Sequence, residues 1–219
     1  FSLAKNLLSN NNQIDIYGID NFDNYYSKKI KDLRIKDLRK FKKFKFTKLD
    51  ITKRDKVLVY FRNKKFTHIV HLAAQAGVRF SQIQPKKYLD INIFGFVNIA
   101  DACLVHKPKV FIYASSSSVY GDIKKLPAKE IDNLTPLNIY ATSKKINEIT
   151  ARFYSNHYNL NFVGLRYFTV YGEWGRPDMF LFKLFKAYHL KKTFFLNNSG
   201  EHKRDFTYID DVVALTKKI

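Results

Sequence analysis

The stretch Lys109-Val110-Phe111-Ile112-Tyr113-Ala114-Ser115-Ser116-Ser117-Ser118-Val119-Tyr120-Gly121 passes from a short apolar run straight into consecutive hydroxyls. A continuous apolar run of that length, ending in a polar turn, predicts a strand buried on both faces, here Lys109 to Ser115. Working outward, the elements alternate in kind. Upstream lie an apolar strand, Thr67 to Ala74, and a long helix, Pro85 to His106. Downstream lie a helix, Tyr140 to Tyr158, and a strand, Asn161 to Tyr167. Nearer the start, Phe1 to Asn10 puts Leu3, Leu7 and Leu8 on one helical face. Gln13 to Asp20 alternates apolar and polar residues as a strand does, and Phe44 to Leu49 gives a short strand before a helix that follows Asp50. Strands alternating with helices predict crossover units, hence an α/β fold built on a doubly wound parallel sheet covered on both faces. Such sheets bind ligands at the carboxyl ends of their strands, so the residues at those ends carry the function.

Composition sets the outer limits. With 219 residues, 46% hydrophobic and 16% aromatic, the chain is globular and long enough to bury a full core. Its apolar runs fall short of the roughly 20 residues that span a bilayer, so no membrane helix is expected. Cys103 stands alone and no secretory apolar segment opens the chain, which predicts a reducing, cytoplasmic setting. The 39 Lys and Arg against 19 Asp and Glu give a net charge of +20. The densest basic stretch, Lys28 to Lys48, carries Ile30, Leu33, Ile35, Leu38 and Phe41 at helical spacing, so its lysines read as the solvated face of an amphipathic helix. A basic nucleic-acid-binding module is the competing reading, and it predicts strongly salt-dependent retention on DNA. The long aromatic and aliphatic strands argue against it. No pair among the six histidines has metal-ligand spacing with a third partner, so no metal site is expected.

Three strand ends are chemically loaded. Asp20-Asn21 offers a carboxylate that can accept from both hydroxyls of a nucleotide ribose, although an acid at a strand end is also an ordinary turn residue. Ser115 to Ser118 can donate to an incoming oxygen or simply make a polar turn. Tyr140 and Lys144, four apart on one helical face, place an ammonium beside a phenol. That favours the phenolate and makes a general base usable near neutrality. The same spacing recurs at Tyr25/Lys29, Tyr60/Lys64, Tyr120/Lys124 and Tyr188/Lys192. Only Tyr140 opens a helix behind Thr135-Pro136 shortly after the serines.

In chain order, the run Ser115 to Gly121, Tyr140-Ala141-Thr142-Ser143-Lys144, the run Gly164 to Met179 (Gly-Leu-Arg-Tyr-Phe-Thr-Val-Tyr-Gly-Glu-Trp-Gly-Arg-Pro-Asp-Met) and the run Arg204 to Val212 resemble the extended short-chain dehydrogenase/reductases acting on nucleotide sugars. The runs His71 to Arg79 and Asn92 to Gly95 fit the same pattern, and the nearest match within it is to the UDP-glucuronate 4-epimerases. This resemblance implies a Rossmann-like NAD-binding domain over residues 1–167 and a partial sugar-nucleotide region over 168–219. It makes Ser116, Tyr140 and Lys144 the catalytic trio, Ser116 being chosen because it lies three residues before Val119. It assigns Asp20, with Asn21, to the adenosine ribose, Asp50 and Ile51 to the adenine, and Leu72, Ala73 and Ala74 to the middle of NAD. Asn92 takes a supporting polar role, Ala114 lies beside the cofactor, and Tyr167 flanks the nicotinamide. Thr169 and Arg204 fall on the sugar-nucleotide side, Arg204 against the pyrophosphate. A homodimer built on the helices containing Asn92 and Tyr140 is also implied.

The resemblance further implies 4-epimerisation of a UDP-sugar, UDP-glucuronate to UDP-galacturonate, through a 4-keto intermediate. Ser117, Ser118 and Thr169, or else Arg79 and Arg176, are then the groups that hold the uronate carboxylate. A nucleotide-sugar 4,6-dehydratase needs an acid and a base where Ser117 and Ser118 stand; a decarboxylase of the same substrate is the other enzymatic alternative. One departure is large. None of the eight glycines forms the Gly-x-x-Gly-x-x-Gly turn that opens such enzymes, and the chain begins at Phe1 with Met179 its single methionine. The first strand with its phosphate-binding turn, and sugar-binding sequence beyond Ile219, are therefore expected to be missing, leaving the piece weak or inactive by itself.

Overall fold

The computed structural model of the chain describes residues 1–11, 13–123, 125–201 and 203–219, with the side chains of all of these except Asn197 and Asn198. The elements in chain order are α1 (Ser2–Asn10), β1 (Ile16–Asp20), α2 (Lys28–Leu38), β2 (Phe44–Lys48), α3 (Arg54–Arg62), β3 (His68–His71), α4 (Val78–Ile83) and α5 (Pro85–Tyr88). After α5 come a π-helical stretch Leu89–Phe94, α6 (Gly95–Ala102), β4 (Val110–Ala114), a 3-10 turn Ser117–Tyr120, α7 (Ile139–Tyr158) and β5 (Phe162–Leu165). The chain ends with β6 (Thr169–Tyr171), α8 (Phe180–His189), β7 (Phe206–Tyr208) and α9 (Ile209–Thr216). They form two compact units, Leu49–Tyr167 and Phe1–Lys48 with Phe168–Ile219. Every strand pairing is parallel, β1 with β2, β3 with β4 with β5, and β6 with β7, in keeping with the α/β class expected. None of the helices among the described residues is long and apolar enough to cross a membrane.

In the unit Leu49–Tyr167, β4 is the middle strand of its ladder, and burial on both sides explains its unbroken apolar run. Phe96 of α6 fills the space over the sheet, its ring 5.4–6.0 Å from those of His71, Phe111, Tyr113 and Phe162. The helix expected over Pro85 to His106 is interrupted: α5, the π-helical stretch and α6 succeed one another and end at Ala102. Asn92 sits inside the interruption, buried. Its amide accepts from the Gln75 N–H at 2.8 Å and donates to the Gln75 carbonyl at 3.1 Å and to Ser143 Oγ at 3.0 Å. Helix α4, which the periodicity does not announce, lies between Gln75 and α5.

His71 shares that core. Burial and the charge of Lys144 hold its imidazole down at about 3. In the unfolded chain it protonates near the ordinary 6.5, so the unfolded state binds more protons as the pH falls from 6.5 toward 3. Folded-state stability therefore falls over that window by about 1.4 kcal/mol per pH unit. Urea denaturation of the parent and His71→Phe at stepped pH should show the extra acid sensitivity in the parent alone.

In the other unit, Leu8, Leu38 and Phe44 form the buried centre, with Phe1, Ala4, Ile16, Ile35, Phe41 and Phe46 packed on it. The basic helix α2 is shorter than its charge run and departs from the expected facing in two places. Leu33 is exposed, and Lys31 is buried. The Lys31 ammonium lies 3.3 Å from Asp20 Oδ1 and 5.0 Å from the Tyr26 ring centre, so one of the supposedly solvated lysines is an internal counter-ion.

Candidate active site

The serine run is sorted by the backbone. Ser115 continues the strand, its N–H bonded to the Leu165 carbonyl at 2.9 Å, and the Ser117 N–H reaches the Tyr167 carbonyl at 2.9 Å. Between them Ser116 is extended, at φ −158° and ψ 145°, and its Oγ caps the following 3-10 turn by accepting from the Ser118 N–H at 3.2 Å. The hydroxyls are thus not equivalent. Ser115 is buried and donates to Glu148, Ser116 is a buried cap, and Ser117 and Ser118 are half-buried. Gly121 ends the turn at φ +69°, where a Cβ would fall 1.9 Å from the Thr135 carbonyl oxygen. Gly121→Ala should therefore cost about 3 kcal/mol or more, read as a shift in the urea midpoint.

Helix α7 starts where it does because Asn138 caps it, accepting from the Ala141 N–H at 2.9 Å. That cap puts Tyr140 in the first turn and Lys144 one turn further along the same face. Lys144 is 3% exposed, and its Nζ donates to the Ala114 carbonyl at 2.8 Å, the last residue of β4 before the serines. Burial pulls its ammonium down to about 8, so near neutral pH it remains charged but holds its proton loosely. Tyr140 is half-buried and meets the Tyr88 ring edge-on at 6.3 Å. Tyr88 is in turn held by its hydroxyl on the carbonyls of Ala76 (2.8 Å) and Gly77 (2.6 Å). Asn92 joins the loop after β3 to α7 through Ser143, whose Oγ donates to the Tyr140 carbonyl at 2.7 Å.

Within the one unit Leu49–Tyr167, then, hydrogen bonds tie Lys144 to Ala114, Ser115 and Ser117 to the backbone of Leu165 and Tyr167, and Asn92 through Ser143 to the backbone carbonyl of Tyr140. Of the other matches to the Tyr-x-x-x-Lys spacing, Tyr60/Lys64 is arranged differently. The Lys64 ammonium turns back on its own helix, onto the Tyr60 carbonyl and ring, and Lys124 lies outside the described residues. The expected adenine residues differ from one another. Asp50 Oδ1 accepts from the N–H and hydroxyl of Thr52, while Ile51 is a core side chain against which Gly95 packs too closely for any Cβ. Leu72 is exposed, Ala73 and Ala74 are half-buried, and Arg79 is exposed on α4.

The remaining expected residues belong to the other unit. Asp20 ends β1 with its side chain 47% exposed; its Oδ1 accepts from the Phe22 N–H at 2.6 Å as well as from Lys31. Asn21 makes a similar local turn, accepting from the Asp23 N–H at 2.9 Å. Thr169 is half-buried at the start of β6. Arg176 grips Asp178 with two prongs, at 3.0 and 2.8 Å, and lies over the Tyr25 ring. Arg204 is exposed, donating to the Lys203 carbonyl. Glu148, Arg166 and Tyr88 were not singled out by the sequence. For Glu148 the signal was available, since it stands one further turn along the face that carries Tyr140 and Lys144.

A fold with parallel ladders and a Tyr–Lys helix moored to the strand end of a serine turn defines a class, and the chain belongs to the NAD dependent epimerase/dehydratase family, whose model matches residues 2–219. Among its relatives are Staphylococcus aureus Protein CapI, 43% identical over 218 residues, and Arabidopsis thaliana UDP-glucuronate 4-epimerase 4, 42% identical over 203. The alignments cover 99% and 90% of this chain but 64% and 46% of those proteins, so the chain spans from under half to about two thirds of their length. A crystal structure of UDP-glucuronic acid 4-epimerase from Bacillus cereus, in complex with UDP-glucuronic acid and NAD, superimposes with a TM-score of 0.90 at 33% identity. It covers 99% of this chain and 68% of the other, and with it the chain shares the Rossmann-like fold.

Proposed function

We propose that this chain is the cofactor-binding and catalytic part of an NAD-dependent UDP-sugar 4-epimerase that interconverts UDP-glucuronate and UDP-galacturonate. The observation that carries the reading is the Lys144 ammonium, buried one turn from Tyr140 and hydrogen-bonded to the Ala114 carbonyl at the root of the serine turn. The named activities of the relatives support it. Residues 1–167 form the NAD-binding part and 168–219 a portion of the sugar-nucleotide region.

The residues present fit the cofactor. Asp20 ends a parallel strand with half its side chain open, its Oδ1 accepting from Phe22 and Lys31, and this carboxylate would accept from a ribose hydroxyl. When bound, the nicotinamide supplies a hydride acceptor and donor for the sugar's C4. Tyr140, as phenolate, takes the proton from the 4-hydroxyl and later returns it. Lys144 favours that phenolate electrostatically, and Ser116 donates to the same sugar oxygen as it becomes a carbonyl. The 4-keto sugar turns over in the site and is reduced on its other face, so no net redox change occurs. For a uronate that intermediate is a β-keto acid, and its carboxylate must be kept from aligning with the carbonyl. The half-buried hydroxyls of Ser117 and Ser118 are the groups of the serine turn that would hold it, and the Arg176 fork is already on Asp178. The exposed Ile149 and Phe153 on α7 suit the proposed homodimer.

The test is to extend the chain at both ends to the length of its relatives, supply UDP-glucuronate and NAD, and follow the sugar by NMR. UDP-galacturonate is expected. Turnover of UDP-glucose alone would overturn the substrate, release of carbon dioxide would make the protein a decarboxylase, and a 4-keto-6-deoxy product would make it a dehydratase.

A further inference from the structure

We propose that Glu148, clasped by Arg166, is a positioning residue that anchors both ends of the serine turn and so sets the direction in which Ser116 projects. As a statement about catalysis, this rests on the epimerase reading above. The Arg166 guanidinium donates to both carboxylate oxygens of Glu148, Nε to Oε1 at 2.9 Å and Nη2 to Oε2 at 2.8 Å. The two side chains are only 18% and 17% exposed. Glu148 Oε1 also accepts from Ser115 Oγ at 2.5 Å, the first hydroxyl of the run. Arg166 Nη1 donates to the Tyr120 hydroxyl at 3.0 Å, and the guanidinium lies 4.9 Å from that ring's centre. Tyr120 is the last residue of the 3-10 turn that begins at Ser117. One ion pair therefore holds the residue before Ser116 and the residue that closes the turn after it. The same Nη1 also donates to the Glu130 carbonyl at 3.0 Å, which ties down the loop between the turn and α7.

Two physical arguments favour orientation over simple cohesion. Taking two charges out of water costs about as much as their attraction returns, so a largely buried ion pair is weak evidence of net stabilisation. What it does deliver is direction, because a two-pronged guanidinium–carboxylate contact has a fixed geometry. In extended chain, successive side chains leave on opposite sides, so pinning the Ser115 hydroxyl to Glu148 fixes the rotation of the backbone from which Ser116 projects. Glu148 also stands four residues after Lys144 and eight after Tyr140. The helix that carries the base and the ammonium thereby sets the hydroxyl as well, holding all three in one frame.

The experiment has two readouts. In the chain as it stands, Glu148→Ala should raise amide hydrogen exchange of residues 116–121 by about tenfold or more, with the interiors of β4 and α7 changed far less. In the extended protein, Glu148→Ala should lower kcat by about tenfold or more, with KM for UDP-glucuronate within about threefold, and Glu148→Gln, which keeps an acceptor for Ser115, should recover part of the loss. Should Glu148→Ala fail to fold, Ser115→Ala and Tyr120→Phe each release one end of the turn while leaving the ion pair, and the same two readouts apply. Unchanged exchange at 116–121, or exchange rising equally throughout the unit, overturns the proposal, as does an unchanged kcat. If the extended parent turns over no UDP-sugar, the epimerase reading fails by itself, and the exchange measurement still decides whether the ion pair holds the turn.

Discussion

Tyr140→Phe in the extended protein should reduce epimerisation by about 10²–10⁴-fold, the range that a positioned general base contributes. The substitution removes the phenol oxygen and keeps the ring. The Phe ring keeps its edge-on packing on Tyr88, and the backbone bonds that place residue 140 come from the Asn138 cap and from Ser143, neither of which uses the phenol. The loss should therefore appear in kcat. Retained turnover would remove Tyr140 from the chemistry, and the mechanism with it.

Lys144→Met carries the second large effect, and here activity and stability move in opposite directions. A buried ammonium held by one backbone carbonyl is expensive to keep charged, which is why burial brings Lys144 from 10.5 down to about 8. In the unfolded chain the lysine stays protonated up to its ordinary range, so between pH 8 and pH 10.5 the unfolded state binds more protons than the folded state. The stability of the parent relative to Lys144→Met should therefore rise across that window, by about 3 kcal/mol at its top, and stay flat below pH 8. At pH 7 the methionine variant should unfold at equal or higher urea while its turnover falls by at least about 10²-fold, because the phenol loses the charge that favours its ionised form. Denaturation curves of both proteins from pH 7 to 10.5 provide the check. A difference that does not vary with pH would mean that the ammonium is not held in a dry site.

The parts of the fold that sequence made plain are those whose signal is local. Strand β4 announces itself because both of its faces are covered, which leaves an unbroken apolar run. Helix α7 begins within one residue of the expected start because an asparagine cap and an amphipathic stripe coincide there. The break in the Pro85 to His106 helix could not be read in the same way. The hydrogen bonds of Asn92 there go to Gln75 and Ser143, 17 and 51 residues away, and no periodicity encodes them. Strands β6 and β7 are three residues each, too short to show an alternation. Helix α8, by contrast, is ten residues of mostly apolar sequence that the alternation of strands and helices had left unassigned.

The candidate site divides along the same line. That Tyr140 and Lys144 share a helical face and that a serine turn follows β4 were legible because motif and spacing lie along the chain. That Ser115 turns to Glu148, that Lys144 ends on the Ala114 carbonyl, and that Lys31 is the counter-ion of Asp20 all depend on partners brought near by folding. Charge was the most misleading cue. Lys31 sits in a basic run, so it passes for a solvated residue until its partner is seen.

The central claim is that this site takes a hydride from the sugar's C4 and gives the same hydride back. It is tested most directly by converting UDP-[4-²H]glucuronate in deuterium-free water and examining the product by NMR. The account predicts UDP-galacturonate with deuterium still at C4. Product that carries solvent hydrogen at C4, or deuterium lost as conversion proceeds, would contradict it.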